Sequence, residues 1–181
     1  IAYHFHSGDI SMSTIPKYLP HYTVDDYQHW TGEWELWNGV AVSMAPSPFG
    51  RHAQLVGQLA KIVGVAIDAA VCDAAVLGDT ILRPDLTVVC GSVPKRHVEV
   101  VPALVVEILS PSTRDRDQTF KKEMYQREGV PWYLIVDPDN ETLLALKLHD
   151  GEYQPMSHSD ILSIDICGKC SLSVRVDRLF Q

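Results

Sequence analysis

The spacing of apolar residues changes along this chain, and each change marks an element. Between Arg51 and Ala70, Leu55, Leu59, Ile62, Val63, Ala66 and Ile67 recur at helical intervals, which predicts a long core helix. From Ile81 to Val89 and from Pro102 to Leu109 that period is lost. Aliphatic and β-branched residues there run almost unbroken, as in strands buried on at least one face. Tyr133-Leu134-Ile135-Val136 reads the same way, and Asp137-Pro138-Asp139-Asn140 turns it into Leu143 to Leu148. A second helix is predicted from about Asp117 to Glu128, stopped by Gly129. Upstream, Thr23 caps a short helix with acidic residues in its first turn. Asn38-Gly39 between two apolar runs signals a hairpin with a type I′ turn. Short strands close the chain. The order predicts a mixed α/β fold with a mixed central β-sheet flanked by helices, one of them crossing between two core strands.

Two carboxylates break the apolar runs. Asp85 interrupts the first, after Pro84, and Glu107 interrupts the second. A carboxylate among such neighbours is desolvated unless a cation or a hydrogen-bond donor offsets the cost. One on each of two successive strands could meet and share a divalent metal, because hard oxygen ligands suit Mg²⁺. A cation beside the attacking water would assist phosphodiester hydrolysis. Two residues beyond Glu107, on the same strand face, stands Leu109. The nearest cations are Lys121 and Lys122 on the following helix. Asp117, Lys121 and Tyr125 are spaced four apart and can share one helix face. The bland alternatives are a turn-capping Asp85 and a Glu107 buried in a purely structural ion pair.

Composition narrows the class. With 181 residues the chain has room for one domain with a real core, expected over 12–181. Ile1 to Ser11, with His4, His6 and Gly8 ahead of Met12, reads as an expression-tag leader. No apolar run approaches the roughly 20 residues of a membrane span. Four cysteines are too few for a disulfide scaffold, so a reduced, cytoplasmic protein is the expectation. Cys167-Gly168-Lys169-Cys170 has zinc-knuckle or redox spacing, but a single such pair is a weak signal. A net charge of −8 argues against strongly non-specific nucleic-acid binding, which needs clustered Lys and Arg. Arg114, Arg116, Lys121, Lys122 and Arg127 form a local basic cluster. It either faces phosphates or balances Asp115, Asp117, Glu123 and Glu128. No phosphate-binding loop, dinucleotide fingerprint or nucleophile elbow is present.

One family matches these residues together. Arg83-Pro84-Asp85, the string Pro102 to Thr113, then Asp117, Lys121 and Tyr125, then Gly129 to Pro138 closely resemble the Uma-two family. That family consists of restriction-endonuclease-like proteins of the PD-(D/E)xK nuclease superfamily. The resemblance extends to Trp34-Glu35-Leu36-Trp37-Asn38-Gly39 and to His52, and covers nearly all of Tyr22 to Phe180. It implies a restriction-endonuclease-like fold with Asp85 and Glu107 as metal ligands. Lys121 stands for the superfamily lysine, moved from strand to helix. Glu35 matches a further acidic position that can complete the metal site, His52 a histidine near it, and the Cys167–Cys170 turn a surface hairpin.

The expectation is therefore an Mg²⁺- or Mn²⁺-dependent DNA endonuclease. Asp85 and Glu107 hold the metal, with the Ile108 carbonyl as a further oxygen. Lys121 polarises the water, while Tyr125 orients Lys121 or packs. A homodimer suits double-strand cutting and the tryptophans Trp30, Trp34, Trp37 and Trp132. The competing expectation is a catalytically silent module that keeps the fold and binds protein or nucleic acid.

Overall fold

The computed structural model describes residues 20–44, 50–66, 70–71, 75–77, 80–91, 98, 100–168 and 170–181. The expected leader, 1–11, lies outside them. Helix α1 (Val24–Tyr27) has the expected cap, closed into a capping box: the Thr23 hydroxyl accepts from Asp26 N, and the Asp26 carboxylate accepts from Thr23 N. Strands β1 (Trp34–Trp37) and β2 (Val40–Ser43) form the hairpin. Its turn residues Asn38 and Gly39 have φ of 46° and 81°, as a type I′ turn demands. Helix α2 (Arg51–Ala66) follows, then β3 (Ala70–Val71), β4 (Ala75–Leu77), β5 (Thr80–Leu82), β6 (Leu86–Val89) and β7 (Leu104–Ile108).

The run from Ile81 to Val89 is two strands, not one. β5 belongs to a four-stranded sheet, β2-β1-β5-β4, and β6 to a six-stranded sheet, β10-β9-β8-β7-β6-β3. Arg83, Pro84 and Asp85 form the crossing between them, outside either strand. Proline has no N–H for a ladder, so the strand breaks there and Asp85 sits at the seam between the sheets.

After β7 the chain climbs through α3 (Arg114–Arg116), a π-helical turn (Asp117–Lys121) and α4 (Lys122–Arg127) into β8 (Trp132–Asp137). β8 lies parallel to β7, while β9 (Thr142–His149) and β10 (Glu152–Pro155) return antiparallel. Every residue of β7 and β8 is buried because each face of the sheet is covered. On one face Leu55, Leu59 and Val63 of α2 pack on Leu104, Val106 and Ile108. On the other, Met124 and Tyr125 of α4 pack on Val105, Tyr133 and Ile135. The alternation of β7 therefore turns Glu107 toward the α4 side.

β11 (Ile161–Ile166) and β12 (Cys170–Arg175) make a separate hairpin whose buried positions alternate, before the short α5 (Val176–Leu179). Its turn corrects the reading of the cysteines. Cys167 is disulfide-bonded to Cys90, across 77 residues and with Cα atoms 5.6 Å apart, while Cys170 is a free, half-buried thiol. Cys167 is thus committed elsewhere and cannot join Cys170 in a zinc site. The end of β6 comes to lie beside the hairpin turn, an adjacency that spacing along the chain does not carry. Among the described residues no helix is long and apolar enough to cross a membrane.

Candidate active site

Asp85 meets Glu107 through the register of the central sheet. In the β6–β7 ladder Leu86 stands opposite Val106, so one step beyond its end Asp85 stands opposite Glu107. Asp85 is held there by the backbone: its Oδ2 accepts from Ile108 N at 2.7 Å. Its Oδ1 lies 3.2 Å from Nε2 of His52, near the start of α2. The hydrogen bond that His52 donates to Asp85 raises the His52 pKa against the opposing effect of partial burial, and the Ile108 backbone adds to the rise.

Glu107 is closed in. Its Oε1 accepts from Lys121 Nζ at 2.9 Å and from the Tyr125 hydroxyl at 3.0 Å. Burial drives its carboxyl well above the usual range. Lys121 draws it back, while the charges of Asp117 and Asp85 push it further up. Tyr125 is also pushed up, by burial and then by Glu107, and so remains a neutral donor. Its hydroxyl engages Glu107, not Lys121.

Lys121 is 1% exposed. Besides Glu107 its ammonium lies 3.1 Å from Glu35 Oε1, 3.5 Å from Asp117 Oδ1 and 3.4 Å from the Arg83 carbonyl. Burial opposes its charge, but Glu107, Glu35 and Asp117 together outweigh burial and hold it above the ordinary lysine range. Lys122, the other cation within reach along the chain, is half-exposed and outside this cluster.

The π-helical turn sets the phase of this helix face. Residues four apart drift forward around an α-helix, whereas a turn widened to i→i+5 bonding advances less per residue and drifts back. One such turn from Asp117 to Lys121, followed by α-helical geometry to Tyr125, keeps all three facing the sheet. The Tyr133 hydroxyl, donating to the Asp117 carbonyl at 2.8 Å, pins the widened turn.

Glu35 is fully buried on β1, not an exposed strand residue. Its Oε1 accepts from Arg83 N at 2.8 Å and its Oε2 from Trp37 Nε1 at 2.9 Å. It thus ties the four-stranded sheet to Lys121. Asp117 was legible only through its spacing to Lys121, and it completes the cluster from within the helix. Burial raises its pKa, partly offset by Lys121.

Four carboxylates therefore converge on one lysine and one histidine. That excess of negative charge, carried on hard oxygens, fits a hard divalent cation. Among the described residues, however, no three His, Cys, Asp or Glu side chains stand in metal-holding geometry. Both oxygens of Asp85 and Oε1 of Glu107 already have protein partners, so a metal would have to displace some of them.

The basic cluster on this helix is largely neutralised. Arg114 pairs with Asp137 and Asp139, and Arg127 with Glu128. Ser110 hydrogen-bonds Ser112 and Thr113 in the strand-to-helix turn.

A family model described as "Uma2: Putative restriction endonuclease" matches residues 24–175. The chain belongs to the Uma2 family. A crystal structure described as a putative nuclease belonging to DUF820, from Anabaena variabilis, superposes with a TM-score of 0.70. The match covers 87% of this chain and 97% of that one at 17% identity, a likeness of fold. No curated protein matches the chain. Uma2 membership supports nuclease function.

Proposed function

We propose that this Uma2 protein is an Mg²⁺- or Mn²⁺-dependent endonuclease that hydrolyses DNA phosphodiester bonds. The observation that carries this reading is the convergence of half-buried Asp85 with buried Glu107 and Lys121, which the Pro84 crossing, β7 and the helix after it bring together. Asp85 and Glu107 would hold the metal, and the Ile108 carbonyl would add an oxygen beside them. When bound, the metal would acidify a water and offset charge on the phosphate. Lys121 would orient that water and stabilise the charge that develops opposite it. Glu35 holds the ammonium from behind, and Tyr125 fixes the rotamer of Glu107. A homodimer would allow both strands to be cut.

The test is cleavage of supercoiled and linear DNA with Mn²⁺, alongside Asp85→Asn, Glu107→Gln and Lys121→Met. Each variant should lose at least about 100-fold in rate, the scale of removing a charge-stabilising group. Cleavage that survives Glu107→Gln at the wild-type rate would falsify the assignment. The second reading, a silent nuclease-fold module, is favoured by the protein partners that already occupy Asp85 and Glu107. Calorimetric titration with Mn²⁺ separates the two, because the silent module predicts no binding that depends on Asp85.

A further inference from the structure

Four oxygens crowd the Lys121 ammonium, and they are not equally provided for. Glu35 is shared, since its two oxygens already accept from Arg83 N and Trp37 Nε1 while its Oε1 lies 3.1 Å from the ammonium. Glu107 takes the shortest contact, at 2.9 Å, and the Arg83 carbonyl accepts at 3.4 Å. Asp117 Oδ1, at 3.5 Å, is buried and accepts no hydrogen bond from any group. An ammonium has three donors, so with four oxygens around it one is left short. A buried carboxylate oxygen without a donor is costly, and it persists only where the surroundings impose it. Here the imposition is the π-helical turn, which holds the Asp117 backbone against the Tyr133 hydroxyl.

We propose that Asp117 is a positioning residue, a standby acceptor that takes the Lys121 ammonium when Glu107 turns to a divalent metal. The inference rests on the metal-dependent reading above. With Glu107 withdrawn, Lys121 would keep Glu35, which two other donors share, and the Arg83 carbonyl, leaving its third donor for a further acceptor. Asp117 Oδ1 is within reach and without a donor, so the ammonium moves a short way along its own helix face and stays charged. Metal binding and the Lys121–Asp117 contact then favour each other, because each removes what the other would leave unpaired. An isolated carboxylate nearby would attract the metal too, but independently of Lys121.

The experiment is a double-mutant cycle read as Mn²⁺ affinity by calorimetry, using the full chain as wild type, Asp117→Asn, Lys121→Met and the double variant. Asp117→Asn should weaken Mn²⁺ binding about tenfold or more where Lys121 is present, the usual scale for a partner behind a metal ligand. In the Lys121→Met background the same change should cost less than about threefold. Equal losses in both backgrounds would make Asp117 a bystander charge and overturn the proposal. Should Lys121→Met fail to fold, the Lys121 Cε signal in wild-type protein decides by NMR: saturation with Mg²⁺ moves it if the ammonium changes partner. An unmoved signal in protein that binds the metal overturns the proposal alone. A wild-type protein that binds neither ion overturns the metal reading itself.

Discussion

His52 and Lys121 are the two basic groups set against four carboxylates, and their titrations act in different windows. The pKa of Lys121 lies above its unfolded value, so its contribution to stability is complete below about pH 10 and is lost only as pH rises through the folded value. At neutral pH it is a fixed charge. His52 is raised as well, by its bond to Asp85. Its contribution is complete below about pH 6.5 and fades as pH climbs through the folded value. A metal on Asp85 must displace that histidine or its proton. Mn²⁺ affinity should therefore rise roughly tenfold per pH unit below the folded pKa of His52 and level off above it. His52→Gln should flatten the profile, and calorimetry between about pH 5.5 and 8.5 reads both. A profile unchanged by His52→Gln would remove His52 from this linkage.

At the scale of elements, the decisive device is the widened turn between α3 and α4. Helix phase alone would let Asp117, Lys121 and Tyr125 drift round the axis, and the π-helical turn cancels that drift. Deleting Gln118, which is exposed and makes no side-chain contact with the site, should let the turn relax to α-helix. Asp117 and Lys121 would then be three apart, still on one helix face but at a changed offset from each other. Circular dichroism should show the helix retained, while DNA cleavage should fall by about 100-fold or more, as small misplacements at an active site do. Wild-type cleavage by the deletion variant would mean that the turn does not set the site. The break at Pro84 works on the same scale. By ending β5 and starting β6 in another sheet, it leaves Asp85 free of ladder bonds to accept from Ile108 N.

Across the whole molecule the site lies where separately built parts meet. Glu35 comes with the four-stranded sheet, Glu107 with the six-stranded one, Lys121 with the crossing helices and His52 with α2. The Cys90–Cys167 disulfide adds a tether, joining the end of β6 to the β11–β12 turn across 77 residues. Closing a loop of that length restricts the unfolded chain by about 4 kcal/mol. Reduction, or Cys90→Ser, should lower unfolding free energy by up to that amount in a urea titration monitored by fluorescence. An unchanged midpoint would show that the tether contributes nothing to stability in solution.

Much of this protein was determined by local sequence. Apolar spacing along Arg51 to Ala66, the Asn38-Gly39 turn and the unbroken runs of β7 and β8 specify elements through short-range sterics and desolvation. The chemistry-bearing positions Asp85, Glu107 and Lys121 were legible because charge among apolar neighbours is costly and must have a partner. Which partner is a long-range matter. Leu109 showed that the cation had to come from elsewhere, but only packing of α4 on the sheet selected Lys121 over Lys122. Three features depended on tertiary structure: the placing of β5 and β6 in different sheets, the burial of Glu35 against Arg83 and Lys121, and the bond from Cys90 to Cys167. Each joins segments far apart in the chain, and their contact is set by how sheets and helices pack. The unsatisfied oxygen of Asp117 belongs to the same class, since its lack of a donor follows from a helical turn that only the folded core holds open.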